Sequence, residues 1–211
     1  ALPCSATGMR RAISKSWNLC YNNHMLSDSQ IKDLELKAVL IRESIIEMLV
    51  AAGSGHTAGP LGMADIFTAM YFNILNHDPK NPDWEGRDRL ILSNGHIVPV
   101  RYATMAHAGY FPVDELLTLR KLGSRLQGHP ERHKLPGMEN TSGPLGSGLS
   151  QASGMALGLR MDGRKNRVYC LMSDGELDEG NSWEAIMFAG NKKLSNLTAK
   201  SKVKANLLLA D

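Results

Sequence analysis

The chain has 211 residues, of which 43% are hydrophobic, 21% are charged and only 6% are aromatic. This length predicts one domain that is large enough to bury a hydrophobic core. No apolar run approaches the ~20 residues that cross a bilayer, so the sequence argues against a membrane-spanning protein. The cysteines Cys4, Cys20 and Cys170 include no C-x-x-C pair. They indicate neither a disulfide framework nor a zinc ribbon, and we expect reduced thiols in a cytoplasmic protein.

The formal net charge of +3 is concentrated at the two ends of the chain. Residues 1–24 contain three basic and no acidic side chains, and residues 198–211 contain three lysines and one aspartate. The remainder has 18 basic and 20 acidic residues, which argues against nucleic-acid binding by the folded body. We predict an unstructured or non-native extension (1–24), an α/β domain (25–197) and a divergent basic tail (198–211). The extension has the composition of a targeting peptide, and we favour the alternative of read-through upstream of Met25.

Taken in chain order, hydrophobic spacing predicts helices that alternate with short strands. The helices are expected at Ile31–Leu49, Met63–Leu75, Ile97–Ala108, Val113–Leu122, Ser147–Met161 and Asn181–Lys192. The strands are expected at Leu90–Leu92 and Arg167–Ser173. Ser27 or Ser29 caps the first helix, and Gly53 ends it. This alternation predicts an α/β fold in which a parallel sheet is flanked by helices.

Glycine-rich turns that each contain a histidine are the first candidates for a site. They are Gly53–Gly59, Ser93–His96 and Gly128–Pro130. The turn around His56 follows a helix instead of a strand, so it is not a dinucleotide fingerprint. His96 lies where a predicted strand meets a helix, and backbone amides at such a point suit an anion. Any one histidine beside a turn is also typical of an ordinary surface position, and both interpretations stay open for His56, His96 and His129.

An acidic run follows the second predicted strand. Asp174 stands at the carboxyl end of that strand and is followed by Gly175. This is where open α/β sheets bind ligands, and a carboxylate there suits Mg²⁺ or Ca²⁺ that holds a diphosphate. Four acidic residues within six positions are also typical of a solvated turn. The sequence contains no G-x-x-x-x-G-K-[ST] motif, so a P-loop nucleotidase is not indicated.

Five motifs occur in a fixed order between about Met25 and Leu197. They are Ser54–Gly62, Ser93–His96, Gly128–Glu131, Gly143–Gly146 and Ser173–Gly180. Together they resemble the transketolase family, and most closely the N-terminal subunit of the split, two-chain transketolases. The resemblance implies a thiamine diphosphate-binding (pyrophosphate-type) domain. It implies that Asp174 binds Mg²⁺ (or Ca²⁺). By the same resemblance, Gly175 and His96 contact the diphosphate, and Gly143 and Leu145 line the aminopyrimidine.

The resemblance also implies a reaction and partners. His56 and His129 are expected to be catalytic, because in this family such histidines bind the sugar hydroxyls and stabilise charge beside the thiazolium. Glu179 is expected to contribute to cofactor binding from the subunit interface. The implied reaction transfers a two-carbon ketol unit between sugar phosphates in the pentose phosphate pathway. The glutamate that activates the cofactor is expected to come from a C-terminal partner subunit, in a dimer of heterodimers.

The C-terminal end departs from the family pattern. The family continues with an apolar strand and, about thirty residues after the metal aspartate, an asparagine. Lys204 occupies that position here, and Asn206 is two positions late. We therefore expect a domain that is incomplete at the C-terminus, with a strand missing and a sheet edge exposed to aggregation. We also expect the isolated chain to bind the cofactor weakly or not at all.

Alternatives remain within and outside this reaction class. The resemblance extends to 1-deoxyxylulose-5-phosphate synthase-like and dihydroxyacetone synthase-like enzymes, although the run Glu176–Asn181 favours transketolase over the former. A non-catalytic fragment or interaction module that keeps the fold without the site is the alternative from another class.

Overall fold

The computed structural model describes residues 26–202 and divides the chain into two compact units between Asp33 and Leu34. The first unit contains the start of helix α1 (Asp28–Ala52). There Gln30 N donates to Ser27 Oγ at 3.3 Å, and Ser27 N donates to Gln30 Oε1 at 2.9 Å. This reciprocal pair is a capping box, so Ser27 is the residue that caps α1. The predicted extension (1–24) and residues 203–211 lie outside the described residues.

The second unit, from Leu34 onward, is an α/β structure. Its elements are the rest of α1, then α2 (Ala58–Ala69, continued by a π-helical turn at Met70–Ile74), β1 (Arg89–Leu92), α3 (Val98–His107), α4 (Ser147–Met161), β2 (Val168–Ser173), α5 (Gly180–Asn191) and β3 (Leu197–Lys202). Short 3₁₀ helices lie at Gly95–Ile97, Val113–Thr118 and Gly175–Asp178. Within residues 26–202 the strands form one parallel sheet in the order β1-β2-β3. The predicted fold class is confirmed. No helix in this range is long and apolar enough to cross a membrane.

Alternate residues of β1 and β2 face opposite sides of the sheet, and both sides are buried. One side packs into a large core beneath α1, α2 and α3, with side chains that include Leu90, Leu92, Tyr169, Leu171, Ile41, Ile45, Phe67 and Tyr102. The other side packs against α4 and α5, with Ile91, Val168, Cys170, Met172, Ala152, Ala156 and Ala185. Burial on both faces explains why these strands are continuous apolar runs without polar alternation.

Two helix predictions differ from the structure by more than three residues at one end. Helix α2 begins at Ala58, five residues before its predicted start, and includes Pro60. Proline is tolerated in a first turn because its missing N–H would have no helical partner there. The helix predicted at Val113–Leu122 is only a 3₁₀ helix that ends at Thr118. The backbone then turns into the left-handed region at Arg120, where φ is +61°.

The expected loss of the strand after α5 is wrong. Leu197–Lys202 forms β3 and pairs with β2 along its whole length, from Val168 opposite Leu197 to Ser173 opposite Lys202. The sequence there is polar and basic, unlike the apolar strand that was expected. Strands at the edge of a sheet tolerate lysine and polar residues, and this explains how a charged segment occupies the position. β2 therefore pairs with β1 on one side and with β3 on the other. The exposed edge that a missing strand would leave on β2 does not occur.

Candidate active site at the carboxyl edge of the sheet

The carboxyl ends of β1 and β2 meet at one edge of the sheet. Leu92 pairs in register with Leu171, and Ser93 N donates to Leu171 O at 2.9 Å. The turn that contains His96 and the turn that begins with Asp174 therefore leave the sheet side by side. The N-terminus of α4 joins them, because Gly148 N donates to Ser93 Oγ at 3.1 Å.

Glu176 is a buried carboxylate that joins three segments of this edge. Its side chain is fully buried. Its Oε1 accepts hydrogen bonds from Ser93 Oγ and, at 2.9 Å, from Gly146 N. Its Oε2 accepts hydrogen bonds from Ser173 N at 2.7 Å and from Ser173 Oγ at 3.2 Å. One carboxylate thus links the ends of both strands to the glycine loop before α4.

The histidines of the glycine-rich turns lie together at this edge. The ring centroids of His56 and His96 are 4.9 Å apart, with an interplanar angle of 52°. His129 lies beside the glycine loop, since the Cβ that an alanine would place at Gly143 is 3.9 Å from His129 Cδ2. Charge on His129 also lowers the pKa of His96, which places the two imidazoles within electrostatic range. The structure therefore assembles one cluster from three turns that are distant in sequence.

Partial desolvation of the ring is the largest cause that lowers the pKa of both His96, which is half-buried, and His129, which keeps an exposed side. Charge on His56 and His129 lowers the pKa of His96 further, whereas the Glu176 carboxylate raises it. For His129 the second cause is the Arg120 guanidinium, followed by charge on His56. These environments favour neutral imidazoles, which both donate and accept hydrogen bonds.

We expect the free energy of unfolding to fall between about pH 7.5 and about pH 5.5. Unfolded histidine titrates near ~6.5, so below that pH the unfolded chain binds protons that His96 and His129 resist. Their contribution to stability is complete above the unfolded pKa and is lost as the pH falls toward their lowered values. Urea titrations across this range measure the slope. His129→Gln should flatten it relative to His133→Gln, an exposed loop control, and equal slopes would contradict the assignment.

The other predicted residues border the same edge. Asp174 follows β2 directly, is partly buried, and accepts a hydrogen bond from Gly175 N through Oδ1 at 3.0 Å. A Cβ placed at Gly175 would meet no atom within 4 Å, so a ligand has room to approach this backbone. Leu145 is exposed in the glycine loop. Glu179 is also exposed, and its Cβ is 2.7 Å from the Cβ position of Gly146.

Three buried polar atoms near this edge have no hydrogen-bond partner among the described residues. They are Asn94 Oδ1, Asn140 Oδ1 and Ser142 Oγ. Asn140 Nδ2 donates to Leu92 O at 3.4 Å, and the Ser142 carbonyl oxygen is 2.8 Å from the Cβ position of Gly95. Buried polar atoms are costly without a partner. A polar ligand at this edge would supply partners, so the residues fit a cofactor that carries both donors and acceptors.

The described residues do not form a metal site by themselves. Within residues 26–202 no three histidine, cysteine, aspartate or glutamate side chains converge on one position. Magnesium is commonly held by one or two carboxylates together with the oxygens of a phosphate ligand. Asp174 beside an open glycine backbone fits such a shared arrangement better than a closed cage of protein ligands.

The sequence alone indicated no role for Glu176, Ser93 or Arg120. A signal for Glu176 was present, because Ser173 and Glu176 have the i, i+3 spacing of a capping box. The 3₁₀ helix at Gly175–Asp178 places such residues on one side of the turn. Arg120 carried no comparable signal, since its left-handed backbone is visible only in the structure.

Comparisons with known proteins show the family of the chain. The family profile described as transketolase, thiamine diphosphate binding domain, matches residues 35–201. A 6-deoxy-6-sulfo-D-fructose transketolase subunit of Clostridium sp. (strain MSTE9) is 44% identical over 174 residues, which cover 82% of this chain and 63% of that protein. An apulose-4-phosphate transketolase subunit of Actinobacillus succinogenes is 43% identical over 166 residues, which cover 78% of this chain and 60% of that protein.

A solved structure leads to the same family. A crystal structure of a transketolase mutant from Pichia stipitis matches with a TM-score of 0.77 and 36% identity, and covers 80% of this chain and 26% of that chain. This chain therefore spans about three-fifths of the length of the two curated relatives and about a quarter of the crystallised chain. The resemblance carried by the five sequence motifs is confirmed. The chain belongs to the transketolase family, and its residues 35–201 match the family's thiamine diphosphate-binding domain.

Proposed function

We propose that this chain is the cofactor-binding subunit of a transketolase that transfers a two-carbon ketol unit between sugar phosphates. The observation that supports this most directly is the convergence of three histidine turns, the glycine loop and Asp174 at one edge of the sheet. Two strands and a helix N-terminus fix this edge through Glu176 and Ser93. The site is thus built on rigid elements, as a catalytic constellation requires.

The layout of the edge supports the cofactor contacts that the family resemblance implies. Asp174 would hold Mg²⁺ (or Ca²⁺), and Gly175 and His96 would contact the diphosphate. Gly143 and Leu145 would line the aminopyrimidine. The open space at Gly175 and the exposed side chain of Leu145 support these assignments, as do the buried oxygens without partners nearby.

The exposure of His56 and His129 supports the substrate contacts that the family resemblance implies. Thiamine diphosphate, when bound, would supply the carbon nucleophile for the transfer reaction. His56 and His129 are both exposed and would donate hydrogen bonds to sugar hydroxyls and to the oxygen on which negative charge develops. Causes that lower the pKa of His129 favour its neutral form, which can also accept a proton. Glu179 is exposed and would face a second subunit.

The curated relatives guide the proposal on partners and substrates. Both are named as subunits, and their names specify a sulfonated fructose and a phosphorylated apulose. We therefore propose a C-terminal partner subunit that supplies the activating glutamate, in a dimer of heterodimers. The substrates would be ketoses with a terminal anionic group, as in the pentose phosphate pathway. We place the assembly in the cytoplasm, in keeping with the buried free thiol of Cys170.

Asp174→Asn is expected to weaken cofactor binding at least about tenfold, which corresponds to ~1.4 kcal/mol. An amide removes the negative charge that attracts the metal while it keeps the size of the side chain. Thermal unfolding with millimolar thiamine diphosphate and Mg²⁺ measures this, because a ligand of the folded state raises Tm even when affinity is low. Asp178→Asn is the matched control, since Asp178 is exposed in the same acidic run.

The outcomes separate the metal role from cofactor binding. Equal dissociation constants for the wild-type and Asp174→Asn chains would remove Asp174 from the metal role. If thiamine diphosphate and Mg²⁺ together leave the wild-type Tm unchanged, cofactor binding by this chain alone is contradicted. The reaction itself is tested with the reconstituted pair of subunits on a panel of ketose phosphates. Consumption of pyruvate without cleavage of any ketose phosphate would overturn the transketolase assignment.

A further inference from the structure

Arg120 has a backbone conformation that few side chains adopt. Its φ is +61°, in the left-handed region where residues other than glycine are uncommon. Arg120 N donates to Leu126 O at 3.0 Å, which closes a loop of the chain between the 3₁₀ helix at Val113–Thr118 and the turn of His129. Strained conformations persist when their surroundings over-determine them, and they occur often at functional sites. The side chain of Arg120 shows what this conformation achieves.

The guanidinium of Arg120 lies between two of the histidine turns. Arg120 Nη1 donates to Ser54 Oγ at 3.4 Å, in the turn of His56. On the other side it covers Gly128, where an added Cβ would be 2.9 Å from Arg120 Nε and 3.1 Å from Arg120 Cζ. The Cβ position of Gly55 is 4.0 Å from the same Nε. One side chain therefore touches both turns.

These contacts make Gly128 a neighbour of the guanidinium. The φ of Gly128 lies outside the left-handed region, so the conformation of the backbone does not require glycine there. A side chain at position 128 would instead meet the flexible end of Arg120 and would displace its guanidinium. The Gly128-His129 pair is thus a packing partner for Arg120 as well as part of the site.

We infer that Arg120 is a positioning residue that clamps the turns of His56 and His129 against each other. The importance of the clamp for catalysis rests on the proposed function, but the clamp itself does not. The guanidinium also acts on the protonation of the site, since its charge lowers the pKa of His129 after the larger effect of burial. The other titratable group that acts on His129 is His56. Removal of the guanidinium should therefore loosen the turns of His56 and His129 and, at the same time, raise the pKa of His129.

The test uses the chain without cofactor. In Arg120→Met we expect the pKa of His129, measured by NMR titration, to rise toward that of ordinary histidine. We expect amide hydrogen exchange in residues 53–57 and at Gly128 and His129 to become at least about threefold faster. Arg120→Lys keeps the positive charge but loses the planar guanidinium. We therefore expect it to leave the pKa of His129 close to its wild-type value, while amide exchange in the two turns still becomes faster. Arg132→Met is the matched control, because it removes one exposed guanidinium only three residues from His129.

A second variant separates the clamp from loss of the fold. Arg120→Gly removes the guanidinium and accepts the left-handed backbone without strain, so it should stay folded and still show both changes. The positioning role of Arg120 is contradicted if Arg120→Gly and Arg120→Met give the same pKa of His129, and the same amide exchange at both turns, as Arg132→Met. Failure of the proposed cofactor binding would appear only in the Asp174→Asn experiment, so the two results are distinguishable.

Discussion

Glu176→Gln is expected to lower the free energy of unfolding by about 3 kcal/mol. The carboxylate is fully buried and accepts hydrogen bonds from Ser93 Oγ, Gly146 N and both the N–H and the hydroxyl of Ser173. Hydrogen bonds to a charged group contribute roughly 1.5–3 kcal/mol each. Glutamine keeps one acceptor oxygen but turns an NH₂ group toward donors, so at least one buried N–H loses its partner.

Urea denaturation of the wild type, Glu176→Gln and Asp178→Asn measures this effect. Asp178 is exposed two residues later, so its amide variant changes the net charge equally and should stay within about 0.5 kcal/mol of the wild type. A second measurement is the pKa of His96, which the Glu176 carboxylate raises. It should fall further in Glu176→Gln. Equal stability of the two variants would show that the buried carboxylate does not hold the edge together.

The substitution Glu176→Gln should affect the whole candidate site, because Glu176 joins the segments that form it. Glu176 is the one buried charge, among residues 26–202, that contacts three segments together: the turn after β1, the turn after β2 and the loop before α4. Each of these segments carries predicted cofactor residues: His96, Asp174 and the glycines of the loop. We therefore expect Glu176→Gln, which weakens the hydrogen bonds between these segments, to disturb cofactor binding although Glu176 itself is not among the predicted cofactor contacts.

Sequence patterns predicted the parts of the fold that depend on local periodicity and burial. Helix α4 begins and ends at its predicted residues, Ser147 and Met161, because small and apolar residues recur at helical spacing. The run Leu90–Leu92 lies within β1 because both faces of the sheet are buried. The histidine turns were recognisable from glycine spacing alone. Only the turn of His96 follows a strand, so the approach of His56 and His129 to it depends on tertiary contacts that the sequence does not show.

Tertiary contacts decided the features that the sequence did not predict. Leu197–Lys202 has lysines where an apolar strand was expected. Lysine has only a weak preference against strands, and pairing with β2 along the edge of the sheet overrides it. The predicted helix after Val113 is a 3₁₀ helix that stops at Thr118, and two residues later Arg120 contacts Ser54 and Gly128. No pattern of neighbours in sequence encodes such a contact.

Glu176 illustrates the same limit within the site. It lies among Asp174, Asp178 and Glu179 in a run that reads as a solvated turn, yet its side chain is fully buried while Asp178 and Glu179 are exposed. The difference arises from donors contributed by Ser93 and Gly146, which are 83 and 30 residues away. Charge patterning describes the average environment of a segment and does not select the member that turns inward.

Gly148→Ala and Gly154→Ala, two substitutions in one helix, are expected to have opposite effects on stability. A Cβ at Gly148 would lie 2.6 Å from Ser93 Cα and would overlap the Ser93 side chain, which is fully buried. The N-terminus of α4 would have to move, and the hydrogen bond from Gly148 N to Ser93 Oγ would weaken. Overpacking of about 1–3 kcal/mol and a lost hydrogen bond of about 1 kcal/mol predict a destabilisation of about 2–4 kcal/mol.

Gly154→Ala is the matched control, because a Cβ there would meet no atom within 4 Å. Alanine in place of glycine inside a helix stabilises it by roughly 0.5–1 kcal/mol. Chemical denaturation of both variants measures the difference. Helix propensity alone predicts stabilisation at both positions, so a loss at Gly148 with a gain at Gly154 would isolate the contact between α4 and the end of β1. Equal gains would mean that this contact yields to a side chain, and that the candidate site does not depend on the close approach of these two elements.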